Sequence, residues 1–254
     1  MKLAVCVKHA LDESELRTNA GGPTVLEGAP GKMGTFDKNA VEEAIRLKAS
    51  AGGDVTVFIV GPAEAMKTMR EALAMGADRG VLVLADAKQL DSFSVSRLLS
   101  KALQKSGQFD LVVCSEGSSD IYTGQVPPAL AELAGMQYVG YVRKLSVAGG
   151  TATAERSLED SVEIVETPLP AVASVVSEIN EPRYPTLIQI MQAAKKPVEQ
   201  LTPAQLGVDT TPLVIVRSLS GQSSSRKKVM IEGSPEEVAK KLVDALGSEG
   251  VLPS

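Results

Sequence analysis

Over the first 135 residues or so, short apolar runs alternate with amphipathic stretches, and this alternation constrains the fold more than any other feature. Residues 3–7, 54–60, 80–84 and 110–114 read as strands, apolar apart from Asp54, Thr56 and Asp110 and rich in β-branched side chains. Between them lie helical patterns. Val41, Ala44, Ile45 and Lys48 recur at helical spacing within 36–48, with Asp37 as an N-cap or first-turn anion. Residues 63–75 form a second pattern, stopped by Gly76. Residues 92–105 form a third, with Asp91 or Ser92 as N-cap. A fourth covers 122–133, where Pro127 and Pro128 fit the first turns. Such apolar strands joined by helices predict a parallel sheet covered on both faces, with right-handed crossovers.

The pattern changes after Gly135. Residues 139–147, 151–157 and 162–166 read as shorter, more polar strands separated by Gly149-Gly150 and Glu159-Asp160, an antiparallel meander added to the sheet. Residues 171–176 are apolar again and re-enter the parallel part. Past Lys195 the sequence reads as a tail, punctuated by Pro197, Pro203 and Pro212, with a linker-like Gly221-Gln222-Ser223-Ser224-Ser225. Residues 229–231 are strand-like. Ser234, Pro235 and Glu237 then carry capping-box chemistry for a last amphipathic helix over 238–246, which across the linker reads either as an arm reaching a partner subunit or as a helix packing back on its own domain.

Composition removes several function classes. Aromatic residues make up 3% of the chain, Trp is absent and the net charge is −5, which disfavours base stacking and phosphate-backbone binding, so no nucleic-acid partner is expected. No apolar run is long enough for membrane insertion. The N-terminal run is too short for a signal peptide. Cys6 and Cys114 both fall in expected buried strands and read as free thiols of a reducing, cytoplasmic compartment. His9 is the only histidine. With no nucleophile elbow, CxxC or HExxH, neither a hydrolase triad nor a metal site is supported, and no catalytic residue is assigned.

In open parallel sheets ligands bind beyond the carboxyl ends of the strands, where the strand order reverses. Three loops fit that place: Val7-Lys8-His9, Gly61-Pro62, and the run from Ser115 through Ser118, Ser119 and Asp120 to Gln125. The third is the most suggestive, because it is small, rich in hydroxyls and leads into a helix N-terminus suited to an anion. It contains neither GxGxxG nor a Walker A sequence, so a loop that merely caps a helix fits it as well.

One late segment reads as a docking element. Ile179-Asn180-Glu181-Pro182-Arg183-Tyr184-Pro185 is braced by two prolines and leads Leu187, Ile188, Ile190 and Met191 into a short helix closed by Lys195-Lys196-Pro197. Tyr, Arg and Met are enriched at interfaces. The plain alternative is that these apolar side chains turn inward.

The run Asn180-Glu181-Pro182-Arg183-Tyr184, preceded by Leu169-Pro170-Ala171-Val172 and followed by Thr186-Leu187, Ile190-Met191 and Lys195-Lys196, resembles the recognition loop of electron transfer flavoprotein β subunits. Other landmarks follow in family order. They are Val5-Cys6-Val7-Lys8, Asn39-Ala40-Val41-Glu42-Glu43-Ala44 with Arg46-Leu47-Lys48, Glu71 to Gly80, Thr123-Gly124-Gln125-Val126, and Leu206-Gly207-Val208-Asp209.

The resemblance implies a Rossmann-like, adenine nucleotide α-hydrolase-like fold: a doubly wound, mostly parallel α/β sheet with the meander and an extended C-terminal arm. Residues 1–197 would form the nucleotide-binding domain, including a recognition loop over 179–197, and 198–254 the arm packing on the α subunit. It further implies an electron carrier rather than a stand-alone enzyme. FAD would be held mainly by the α subunit and AMP by this chain. The AMP site would be lined by Cys6, Gly34, Thr35, Phe36, Asp37, Val60, Asp120, Ile121, Tyr122, Thr123, Gly124 and Gln125. Docking would fall to Arg183, Tyr184, Leu187, Ile188 and Met191. The implied partners are acyl-CoA or other flavin dehydrogenases and a quinone oxidoreductase, and Glu163 is the nearest match to a glutamate that restrains the loop.

Three departures bear on the nucleotide site. Gly34-Thr35-Phe36 stands where the family usually has Asn-Pro-Phe, the loop before Thr123 is short, and a flavin-touching aromatic falls at about Glu13. Two other readings stay open. One is a bifurcating type with a second FAD here and NADH as donor. The other is a nucleotide-binding regulator of the universal-stress-protein type.

Overall fold

Each apolar run becomes a strand whose side chains alternate between two helical layers. In the computed structural model, which describes residues 1–15, 17–18, 24–25, 30–217 and 228–252, the chain begins with β1 (Lys2–Cys6). A short antiparallel ribbon follows, β2 (His9–Leu11) with β3 (Gly31–Met33). Next come α1 (Thr35–Ala51), β4 (Asp54–Gly61), α2 (Met66–Met75), β5 (Arg79–Leu84) and α3 (Ser92–Ser106). They lead to β6 (Leu111–Ser115) and α4 (Val126–Ala134). The meander is β7 (Gln137–Ala148), β8 (Thr151–Ser157) and β9 (Val162–Pro168). Then follow β10 (Ala171–Val175), α5 (Leu187–Ala193), β11 (Val198–Leu201) and the single turn α6 (Pro203–Leu206).

The main sheet runs β9-β8-β7-β10-β6-β1-β4-β5-β11. Its pairings are parallel from β7 to β11 and antiparallel at β7–β8 and β8–β9. From β1 the chain steps to β4 and β5 on one side, then crosses back through α3 to β6 on the other. The strand order therefore reverses between β1 and β6, the point at which doubly wound sheets open a crevice.

Alternation along the strands explains the layering. Leu3, Val5, Val55, Val57 and Ile59 point to one face and pack with Ala40, Val41 and Ala44 of α1 and Met69 and Leu73 of α2. Ala4, Cys6, Phe58, Val81, Val112 and Cys114 point to the other, against Leu98 and Leu99 of α3 and Leu130 of α4. Phe58 is fully buried and meets Phe109 edge-on at 5.5 Å. Burying a side chain of that size contributes about 2–3 kcal/mol. Both cysteines are buried and free, side by side on β1 and β6.

Several boundaries differ from the sequence reading. The helix expected over 122–133 starts at Val126, because Tyr122 and Gly124 both take left-handed backbone angles (φ 53° and 63°) that break a helix. Pro127 and Pro128 do occupy its first turn. The N-cap of α1 is Gly34, and Asp37 lies in the first turn. Asp91, not Ser92, caps α3 and completes a capping box with Ser94. The segment past Lys195, read as the start of a tail, first adds an edge strand: Val198–Leu201 pairs parallel with β5.

A second compact unit falls within residues 18–24 and 219–254. Its described part contains α7 (Pro235–Ser248), capped by Ser234 with Glu237 as the sequence predicts. Residues 229–231, read as strand-like, form no strand. The linker residues Gly221 to Ser225, the basic Arg226-Lys227, and most of the loop over 12–30 lie outside the described residues. Among the described residues no helix is long and apolar enough to cross a membrane.

Candidate functional site

The crevice at the strand reversal is built from the carboxyl ends of β1 and β6 and the N-terminus of α1. Beyond β1, Lys8 Nζ donates to Asp120 Oδ1 at 2.7 Å and to Ser118 Oγ at 3.3 Å. The Leu11 amide donates to the other Asp120 oxygen at 3.1 Å. These bonds tie the loop after β6 to the segment after β1. Burial pushes the Asp120 carboxyl up, but the hydrogen bonds from Lys8 and Ser118 outweigh it and hold the group below the ordinary range.

Asp37 behaves in the opposite way. It is buried in the first turn of α1, and Ser115 Oγ donates to its Oδ1 at 2.9 Å. Burial lifts its carboxyl to about 7 against that hydrogen bond, so near neutrality it is half protonated. Its second oxygen, Oδ2, has no partner, and neither does the buried Ser119 Oγ. Both atoms converge on Gly34. A Cβ added there would stand 2.8 Å from Asp37 Oδ2 and 3.2 Å from Ser119 Oγ. Orphaned buried polar atoms are rare and demand an explanation. Here both lie against Gly34, where a side chain would crowd them.

The remaining loop residues line the rim. The Tyr122 ring packs on Phe36 with centroids 5.5 Å apart. Ile121 and Tyr122 are exposed, and Thr123 Oγ1 lies 3.3 Å from Ser92 Oγ. Gly124 takes φ 63°, and a Cβ there would approach the Glu116 carbonyl oxygen to 3.3 Å. Gln125 is the N-cap residue of α4, and with Pro127 and Pro128 in the first turn Val126 is the one residue there that brings an amide N–H.

A second region lies along α1 and α2. The loop before α5 leaves β10 through Asn180 and Arg183 and presents Tyr184 (94% exposed), Leu187 (73%), Ile188, Ile190 and Met191 to solvent. The inward-turned alternative is therefore not what the chain does. Thr186 and Gln189 form a capping box that starts α5. Beneath the apolar ridge Ile179 and Ala193 pack on the core, and polar anchors hold the rest. The loop's acidic partner is Glu42 of α1, which accepts from Arg183 Nε at 2.7 Å and Nη2 at 3.1 Å.

The chain matches the electron transfer flavoprotein domain over residues 24–206. It is 37% identical to electron transfer flavoprotein subunit beta of Thermoanaerobacterium thermosaccharolyticum, over 99% of this chain and 100% of that one. To the Bacillus subtilis protein of the same name it is 38% identical, over 98% of each chain. The Clostridium acetobutylicum counterpart is 34% identical, over 96% of this chain and 95% of that one. The chain belongs to the electron transfer flavoprotein family.

Within that family it has the role of a β-subunit component of an electron-transferring flavoprotein. Of the residues expected to line its nucleotide site, Gly34 and Asp37 gather with Asp120 at the strand reversal. Cys6 closes the end of β1 beneath them, and Val60 sits half-buried at the end of β4. Phe36 and Tyr122 form one rim contact, while Ile121, Thr123 and Gln125 are exposed. Lys8, Ser115 and Ser119, which the sequence places in the candidate loops but the resemblance leaves off the expected lining, take part as well. The hydroxyl-rich loop and the residue after β1 were the available signals, but only the register of β1 against β6 brings them together. The Glu163 assignment is corrected. Its carboxylate is taken by Arg156 at 2.9 Å on the neighbouring strand, and the loop is held instead by Glu42.

Proposed function

We propose that this β subunit pairs with an α subunit, binds AMP at the β1/β6 crevice, completes the surroundings of an FAD held mainly by the α subunit, and docks flavin dehydrogenases through Leu187. The observation that carries the nucleotide reading is the pair of unpartnered buried atoms, Asp37 Oδ2 and Ser119 Oγ, facing Gly34 at the strand reversal. A half-protonated Asp37 and the Ser119 hydroxyl offer donors and acceptors for the ribose or base of a nucleotide. The Thr123 hydroxyl and the amides of Gly124 and Val126 suit its phosphate. The absent amide at Gly34 fits this reading, since the neighbouring carboxyl and hydroxyl supply polar contacts on the same side.

When bound, the flavin supplies reversible electron acceptance, and this chain supplies assembly and recognition. Leu187, Ile188 and Met191 form an exposed apolar ridge beside Tyr184, with Arg183 at its base, which suits a hydrophobic pocket on a dehydrogenase. The arm expected over 198–254 would lend the part beyond its edge strand to the α subunit. A quinone oxidoreductase is the fitting electron acceptor downstream.

The test is nucleotide content. The chain is co-expressed with an α subunit, the purified complex is denatured, and released nucleotides are quantified. One FAD and one AMP per heterodimer is the expected result. Two FAD and no AMP would move the chain to the bifurcating type, and absence of any nucleotide would overturn the crevice assignment.

A further inference from the structure

We infer that the Glu-Glu pair of α1 is a clamp that presets the docking loop, with Glu42 as its positioning residue; this rests on the docking role proposed for Leu187. Two sequence signatures about 140 residues apart meet here. From α1 come Asn39, Glu42, Glu43 and Arg46, and from the loop come Asn180, Glu181 and Arg183. Glu42 is 4% exposed and receives four hydrogen bonds. They come from Arg183 Nε (2.7 Å), Arg183 Nη2 (3.1 Å), the Arg183 amide (3.2 Å) and Arg46 Nε (2.9 Å). Burial alone would raise its carboxyl, but the bonds from Arg183 and Arg46 bring it below the ordinary range, so it stays charged.

The rest of the clamp is hydrogen-bonded as well. The Asn39 amide donates to the Asn180 carbonyl at 2.7 Å and to the Ser177 carbonyl at 3.1 Å. Asn180 donates back to the Asn39 carbonyl at 3.1 Å and to Glu43 Oε2 at 3.0 Å. Arg46 Nη2 adds a bond to the Glu181 carbonyl at 3.3 Å.

The far end of the loop has its own anchor. Arg70 of α2 donates to the carbonyls of Ala193 (2.8 Å) and Lys196 (3.1 Å), and Lys196 Nζ donates to those of Leu73 and Ala77. Between these two anchors lie Tyr184 to Met191, the exposed apolar side chains. A loop held at both ends enters an interface without the ordering cost that a free loop bears. The bidentate, charge-assisted geometry of Arg183 on Glu42 fixes direction as well as position.

The experiment uses the intact heterodimer with two readouts. One is amide hydrogen exchange over residues 184–193. The other is its reduction by a substrate-reduced acyl-CoA dehydrogenase across a range of dehydrogenase concentrations. Glu42→Gln keeps the volume and hydrogen-bonding shape, and Arg183→Met acts from the exposed side, so a folding defect in the first does not decide the question. Both are expected to speed exchange about tenfold and raise the KM for the dehydrogenase about tenfold, with kcat unchanged. Arg183→Lys should fall between them and wild type. Leu187→Ala should raise KM while leaving exchange as in wild type. If Glu42→Gln and Arg183→Met keep wild-type exchange or wild-type KM while Leu187→Ala raises KM, the clamp is overturned and docking stands. If Leu187→Ala leaves KM unchanged, the docking reading itself fails, and the clamp falls with it as a docking device.

Discussion

The crevice and the docking loop solve opposite problems with the same helix. At its N-terminus α1 contributes Gly34 and Asp37 to a buried site where two polar atoms lack partners. One and two turns further on, it contributes Asn39, Glu42 and Glu43 to a base where the loop's side chains and carbonyls are engaged. Above that base the apolar side chains face water. Buried polar groups without partners and apolar groups without cover both cost free energy in an isolated chain. Under the proposed function the first imbalance would be relieved by a small polar molecule and the second by another protein, so the two regions differ in which kind of group is left unsatisfied.

The largest effect should come from Asp37, because it tests the crevice alone. Its folded carboxyl titrates at about 7, above the ordinary 3.8. The folded state therefore binds more protons than the unfolded state between those values, and stability falls as pH rises through that window, levelling above 7. Between pH 5 and pH 8 the nucleotide-stripped protein should lose about 2–3 kcal/mol from this group in urea unfolding. Asp37→Asn should flatten that slope. An unchanged slope in the variant would remove Asp37 as its source. Added AMP should restore stability to the wild-type protein more than to the variant.

Leu187→Ala addresses the other side of the comparison. A central apolar anchor is worth about 2 kcal/mol of binding, roughly thirtyfold in the rate of reduction by a dehydrogenase at low concentration. Since Leu187 is 73% exposed, the thermal midpoint should not move. A drop in stability equal to the drop in rate would mean that the side chain supports the fold rather than a partner.

Gly34→Ala sharpens the crevice side. Its backbone (φ −61°, ψ 153°) accepts any residue, so the substitution adds only a methyl group. That methyl would meet Asp37 Oδ2 and Ser119 Oγ. Nucleotide retention should fall about tenfold by quantitation after denaturation, with dehydrogenase docking unaffected. Equal loss of both would show that the two regions are not separate.

How far the sequence reveals each region follows from the range of the interactions. The parallel sheet is legible because Val55, Val57, Phe58 and Ile59 are apolar on both faces whatever their neighbours. The reversal point follows from element order, and the exposed ridge was half-legible from its prolines. The edge strand β11 was not, because Val198-Glu199-Gln200-Leu201 is half polar, lies between prolines and pairs on one side only. The turn before α4 was misread because Tyr122 adopts a left-handed angle that favours glycine or asparagine. The Glu42–Arg183 pair spans 141 positions, and no local pattern reports a contact of that length. Glu163 is matched to a family glutamate by position, whereas in the fold the carboxylate bonded to the loop comes from α1.

The smallest effect concerns the cap of α5, and it separates order at the loop tip from order in the fold at large. Thr186 Oγ1 accepts from the Gln189 amide at 3.4 Å, and Gln189 Oε1 accepts from the Thr186 amide at 2.7 Å. A helix of seven residues is too short to persist on its own propensity, so its cap carries a large share of its order. Thr186→Ala should cost about 1 kcal/mol locally, raising the KM for a dehydrogenase about fivefold. The same device recurs at Thr202 and Gln205, where the single turn of α6 follows the edge strand β11. Thr202→Ala removes identical chemistry away from the ridge and should leave KM at the wild-type value. If the two variants weaken docking equally, the capping box of α5 has no special part in holding Leu187, and order at the tip comes from the two anchors alone.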